Sequence, residues 1–504
     1  MEHMSHDGRY HRRTLEGQIK APLFEGLLEH VRQEPLAFHI PGHKSGRGMD
    51  ALFRDTIGKQ ALALDLINIA PLDDLHAPHG MIREAERLAA EAFAAEHAFF
   101  SVQGTSTAIM AMILATTGPG EKIIVPRNVH KSVLSAIIFA GALPIFIYPE
   151  MDRTFGISHG ISYASLERAL MLHPDARAVL LINPTYFGVA CQLPAYVDLV
   201  HAYGIPVLVD EAHGAHLYFH PELPPSAMEA GADVAAVSMH KLGGSMTQSS
   251  LLLQQGNRVS HQRLQAMMSM LQTTSTSYLL LSSLDTARRH MATRGEELLS
   301  QTIALSRRLR KAVRDIPGLA ILDETVLAYD SFHALDPTKI TIQVAGLGIS
   351  GYEAEQYLRE HARIEVELSD LYNILVLITP GDDDTTINRL IEALYNLSAT
   401  FQTNGAYAPA DILLPDMPAL ALSPRDAFYA EVERIPLSES AGRVMAEFIM
   451  VYPPGIPILM PGEIITQDNI DYIEANVAQG LPVQGPEDAT LATIKVIKER
   501  LPLR

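Results

Sequence analysis

From residue 98 onward, short apolar runs alternate with helix-length stretches. Ala98 to Val102, Lys122 to Val125, Leu143 to Ile147, Ala178 to Ile182, Pro206 to Val209, Asp233 to Val237 and Ser250 to Gln254 have strand length and β-rich composition. Apolar runs separated by helices predict a mostly parallel sheet covered on both faces, the pattern of an α/β domain. Upstream, the chain begins polar and then gives an amphipathic helix around Ala21 to Val31, with Leu23, Leu27, Leu28 and Val31 on one face. Met81 to Glu96 is rich in helix formers, and Glu296 to Arg314 predicts a long polar-faced helix leading out of the large domain. Beyond it, strand patterns at Ile340 to Val344, Ile364 to Leu368 and Asn373 to Ile378, with a helix at Asp384 to Leu397, predict a smaller α/β domain. A Pro-rich linker, Ala408 to Pro424, precedes a last unit of α+β type. The expected division is an arm and helix over 1–60, a large domain over 61–315, a small domain over 316–407 and a C-terminal domain over 408–504.

Chemistry gathers where these runs end. Asp233 to Val237 stops at Ser238-Met239-His240-Lys241 and turns on Gly243 and Gly244, which places a lysine at the mouth of a sheet. Such an amine can form a Schiff base with an aldehyde, typically pyridoxal phosphate; a surface lysine after a strand is the plainer alternative. Gly104-Thr105-Ser106 opens an apolar helix, where backbone N–H groups, the helix dipole and hydroxyls could cradle a phosphate or simply cap the helix. His130, after the run ending at Val125, stands where an imidazole could stack on a flat ring. Asp210 ends another apolar run, and a carboxylate there is costly unless a partner such as a protonated pyridine nitrogen meets it. Asp210 and His213 also have the spacing of two metal ligands, but the other strand ends offer no obvious further ligands, so no metal is expected.

Composition narrows the class. The 504 residues, 47% hydrophobic, are enough for two to four domains, and a net charge of −19 disfavours nucleic-acid phosphates and anionic membranes as partners. The single cysteine, Cys191, rules out an internal disulfide and suits a reducing compartment. Charge and proline interrupt every apolar run before membrane-spanning length, and Met1 to Arg13 has no signal-peptide core, so a cytoplasmic protein is expected.

The phosphate cradle, the stacking histidine, the strand-end aspartate and Ser-x-His-Lys occur in that order between Gly104 and Lys241, and so the chain resembles the fold-type I pyridoxal-phosphate enzymes. More narrowly it resembles the ornithine/lysine/arginine decarboxylase family in its shorter form, without the N-terminal response-regulator-like domain. Phe38 to Lys44, Leu72 to Gly80, Asn183 to Val189, Thr273 to Asp285, and Tyr452 to Pro457 with Met460 to Glu463 carry the narrower likeness. The resemblance implies that Lys241 holds the cofactor, Asp210 pairs with its ring nitrogen, His130 stacks on the ring and His213 lies beside it. It implies further that Gly104, Thr105, Ser106, Ser238 and His240 surround the phosphate, with Thr276 reaching a neighbouring subunit's cofactor in a homodimer or assembly of dimers. The implied reaction is decarboxylation of a basic L-amino acid, arginine to agmatine first and lysine or ornithine next, for polyamine synthesis. Transamination, aldol cleavage or a catalytically silent cofactor-binding homologue are the rival readings. Gln103 in place of asparagine and Leu66-Ile67-Asn68-Ile69 depart from the family pattern, while Asp73, Asp74 and Glu463 are unplaced candidates for reading the substrate's head group.

Overall fold

The computed structural model describes residues 15–324, 329–401, 414–451, 456–478, 481 and 483–498. Met1 to Arg13, part of the Pro-rich linker, and Tyr452 to Gly455 of the C-terminal motif lie outside the described residues. The chain divides into two compact units, one holding the described residues up to 116 with 181–184 and 193–300, the other 117–180, 185–192 and the described residues from 301.

In the first unit, strands His97–Ser101, Ser250–Gln254, Val234–Val237 and Val207–Asp210 lie side by side in that order. The first two pairings are antiparallel, and the third, Leu208 opposite Val234, is parallel. Every residue of Val207–Asp210, Val234–Val237 and Ser250–Gln254 is buried, as expected of strands covered on both faces. The helix Gly104–Thr116 buries eight of its thirteen residues. In the second unit, Lys122–Pro126 runs parallel to Leu143–Ile147 on one side and to the start of Ala178–Ile182 on the other. The parallel pairings outnumber the antiparallel ones, so the central sheet is the mostly parallel one its apolar runs predict.

The second unit also holds a four-stranded antiparallel sheet in which Lys339–Gln343 and Asn373–Leu377 are central. Ile340, Ile342, Ile374 and Val376 pack there against Leu390, Leu394 and Leu397 of the helix Asp384–Phe401. Towards the C-terminus, Val432–Pro436 pairs with Thr493–Ile497, and Ile449–Val451 with Ile456–Leu459.

Two predicted elements differ. The long helix starts at Tyr278, eighteen residues before Glu296, and runs to Arg314. Ser282, Ser283, Thr286, Thr293 and Gly295 weaken the helical pattern, yet Thr286 and Thr293 return their hydroxyls to the carbonyls of Ser282 and Arg289 (2.8 and 2.7 Å). Tertiary contacts fix the rest of this stretch: Asp285 accepts the N–H of Leu23 (2.9 Å), and Arg288 donates to the carbonyls of Gln18 and Lys20 (2.9 and 2.7 Å). Ile364 to Leu368, predicted as a strand, contributes only Leu368 to the two-residue strand Leu368–Ser369. A π-helical turn over Leu358–Ala362 precedes it, and Arg363 sits in the left-handed region at φ 52°, which breaks the extended path.

Candidate functional site

The strand Val234–Val237 ends at Ser238, and Met239–Leu242 forms one helical turn. That turn projects Lys241 so that its Nζ donates to His213 Nε2 at 2.8 Å. Gly243 allows the turn to close tightly, since a Cβ there would meet the carbonyl oxygen of Met239 at 2.9 Å. His240 donates from Nδ1 to the carbonyl of Ser249 (2.9 Å), which fixes its tautomer and leaves the Nε2 lone pair to the outside of the ring.

Three hydroxyls converge at the start of the helix Gly104–Thr116. Thr105 Oγ1 is hydrogen-bonded to Ser238 Oγ and lies 2.8 Å from Ser250 Oγ. Gly104 takes a φ of 75° and donates its N–H to the carbonyl of Gln248 (2.7 Å), which turns the chain sharply into the helix. Ser106 is half-buried on the first turn. Gln103, the departure from the family pattern, accepts the N–H of Thr273 (3.1 Å) and so ties the cradle to the loop that carries Thr276. The hydroxyl of Thr276 is buried without a partner among the described residues.

Asp210 closes the strand beside Val234–Val237. It is buried, and its Oδ1 accepts the N–H of Ala212 (3.2 Å). Burial pushes its pKa up, against that hydrogen bond and the charge of Lys241. A carboxylate in that position gains from a cationic N–H partner, and the lysine, hydroxyls and helix N-terminus supply the attachment and anion-binding groups that pyridoxal phosphate requires. The residues present fit the cofactor.

His130 lies in the second unit, as the N-cap of the helix Lys131–Ala140. Its Nδ1 accepts the N–H of Ser132 (3.2 Å) and lies 2.8 Å from the Ser132 hydroxyl, and the residue is exposed.

The unplaced acidic residues now have positions. Asp73 is a buried anion accepting the N–H groups of Asp74, His79, Gly80 and Ile82 (2.9, 3.0, 2.8 and 2.9 Å). Burial pushes its pKa up, but these hydrogen bonds prevail and hold it below the usual range, so it serves the start of the helix Met81–Ala92. Asp74 accepts from Asn68 (3.1 Å) and from the N–H of His76 (2.9 Å). Both oxygens of Glu463 are engaged by Arg127 (2.5 and 2.8 Å) in a pair shut away from solvent.

Sequence reasoning missed Glu367, an exposed carboxylate that accepts the hydroxyl of Tyr186 at 2.6 Å. Tyr186 lies three residues after Asn183, whose N–H donates to the carbonyl of Asp210 (3.1 Å). The signal was present in Asn183-Pro184-Thr185-Tyr186, but nothing local links it to residue 367. Glu211 was missed too: it is fully buried, accepts from the hydroxyl of Tyr218 and the N–H of Ala227 (2.7 Å), and is pushed by burial up to about 8. A cavity of about 750 Å³ lined by His76, Arg83, Glu86, His97 and His261 includes none of the residues around Lys241.

The family model described as "Orn/Lys/Arg decarboxylase, major domain" matches residues 21–386, and its C-terminal-domain counterpart matches 410–482. An arginine decarboxylase of Bacillus subtilis is 57% identical over 484 residues, covering 96% of this chain and 99% of its own. One from Bacillus anthracis is 58% identical over 487 residues, with 96% and 99% covered. Among solved structures, the lysine decarboxylase LdcF of Francisella novicida shares the fold with a TM-score of 0.81 at 23% identity, covering 96% of this chain and 82% of that one. With its cofactor-binding geometry and matches spanning both domains, the chain belongs to the ornithine/lysine/arginine decarboxylase family of fold-type I pyridoxal-phosphate enzymes.

Proposed function

We propose that this enzyme decarboxylates L-arginine to agmatine in the cytoplasm as a homodimer, as a step towards polyamines. The observation that carries the reading is the Lys241–His213 contact next to buried Asp210 and the Thr105 cradle, taken with near-full-length identity to proteins named arginine decarboxylase. Bound there, pyridoxal phosphate supplies an electron sink for the pair left on the α-carbon when the carboxylate departs as carbon dioxide.

The chain's own groups do the rest. Lys241 is the amine that holds the cofactor's aldehyde carbon, and His213 accepts an N–H from it and keeps Nζ aimed. Gly104, Thr105, Ser106, Ser238 and His240 would hold the phosphate; Thr276, buried within its own chain, does not present its hydroxyl to a partner subunit. Asp210 keeps the proton on the ring nitrogen, an interaction worth most as negative charge develops in the transition state. His130 covers the ring face. One proton is taken up at the α-carbon for each carbon dioxide released.

Incubating the purified holoenzyme with arginine, lysine and ornithine tests the reading. Arginine is expected to give agmatine and carbon dioxide in equal amounts with no keto acid; faster turnover of lysine or ornithine moves the assignment to that substrate, and a keto acid product overturns decarboxylation.

A further inference from the structure

The C-terminal segment grips both ends of the ten-residue helix Lys131–Ala140 that His130 caps. Before the helix, Arg127 follows the strand Lys122–Pro126 and is fully buried. Its backbone N–H donates to the carbonyl of Ile147 (2.7 Å), and its guanidinium packs over the Phe146 ring at 4.7 Å. The guanidinium then spends its donors on the C-terminal segment: Nε to the carbonyl of Pro457 (2.9 Å), Nη2 to that of Ile458 (3.3 Å), and both Nη atoms to Glu463. Glu463 is itself held, since its Oε2 also accepts the N–H of Met460 (2.8 Å). At the far end, Arg425 donates from Nε to the carbonyl of Ile138 (2.9 Å), which also accepts the N–H of Gly141 (3.2 Å). Its guanidinium lies beside Gly141, where a Cβ would meet Nη1 at 2.7 Å.

We propose that the C-terminal segment positions His130, with Arg127–Glu463 fixing one end of its helix and Arg425 the other. The inference rests on the reading of His130 as the group that covers the cofactor ring. Only two residues, Asn128 and Val129, separate Arg127 from His130, and His130 is bound to the helix through the N–H of Ser132. A shift of either end therefore moves the imidazole. A fully satisfied bidentate pair is directional, which suits setting a position more than adding stability.

The test is a cycle on the holoenzyme with Arg425→Gln, Glu463→Gln and His130→Ala, reading cofactor retention on dilution and the visible circular dichroism of the bound cofactor. Arg425→Gln is expected to weaken cofactor affinity about tenfold and to reduce the dichroism, with far-ultraviolet dichroism unchanged, and Arg425→Lys to recover most of the loss. In the double variant R425Q/H130A, affinity is expected to match H130A alone. Additive losses, or an R425Q enzyme with ordinary affinity and dichroism, overturn the proposal. An H130A enzyme that retains both signals overturns the reading of His130 instead, so the two failures are distinct. Glu463→Gln leaves Arg127 as a buried charge with half its partner; if that variant does not fold, the R425Q cycle decides alone.

Discussion

Lys241 and Asp210 make different demands on their surroundings, and substitutions separate them. Lys241→Ala is expected to abolish the visible absorption of covalently held cofactor and nearly all turnover; a variant that keeps the band would place the anchor at another lysine. Asp210→Asn keeps size and hydrogen bonding to Ala212 but loses the charge, and removal of one preorganised electrostatic partner costs about 10²- to 10³-fold in kcat. Cofactor should still bind, so near-normal decarboxylation by the asparagine variant would return Asp210 to a structural role. Its neighbour Glu211 is a neutral buried acid whose folded pKa, about 8, stands above the ordinary 4.5. A raised carboxyl contributes stability that is fully present below pH 4.5 and is lost as pH rises to 8, because only the unfolded chain ionises freely in that window. Glu211→Gln should therefore flatten the fall in melting temperature between pH 5 and pH 8.5, and an unchanged slope would assign the pH dependence elsewhere. At this scale the strand-end residues were legible because an apolar run that stops at a charged or nucleophilic side chain is visible locally. Glu463 was not, because the partner that consumes it, Arg127, is 336 positions away.

Among the elements, the strands Val207–Asp210, Val234–Val237 and Ser250–Gln254 were read within one residue since each is buried on both faces and needs a continuous apolar run. The first half of the helix Tyr278–Arg314 was hidden because its serines and threonines make no pattern, and their bonds back to the helix carbonyls exist only once it has formed. The helix Gly351–Tyr357 shows the same dependence on what lies outside the element. Its start carries a readable capping box, Ser350 with Glu353, yet the requirement for glycine at 351 comes from elsewhere. A Cβ at Gly351 would lie 2.1 Å from the carbonyl oxygen of Asn373 and 2.4 Å from that of Asp370, and neither backbone atom can swing aside. Gly351→Ala is expected to destabilise the fold by about 1–3 kcal/mol in urea unfolding, the range of an overpacked interior. A change below about 0.5 kcal/mol, typical of an ordinary surface position, would mean that the helix moves freely away from the sheet edge.

At the scale of the whole molecule, the sequence could suggest a dimer only through resemblance, since the surface that pairs is not marked by local patterning. The structure adds an observation of its own. The helix Ala51–Ile57 buries none of its residues, although Leu52, Phe53 and Ile57 would gain from burial, and shortly before it Leu36 and Phe38 stand 79% and 94% exposed. Large apolar side chains left in water at this density mark a surface that is covered in the working protein. A second copy of the chain is the occupant we expect, in keeping with the homodimer proposed above. The wild-type enzyme should therefore sediment as a dimer or larger at assay concentration. Phe38→Asp with Leu52→Asp places two charges where a dimer would desolvate them, and the pair should sediment as a folded monomer with weakened cofactor retention and little activity. A wild-type monomer with full activity would show that the site is complete within one chain. A double variant that stays dimeric would move the interface away from residues 36–57.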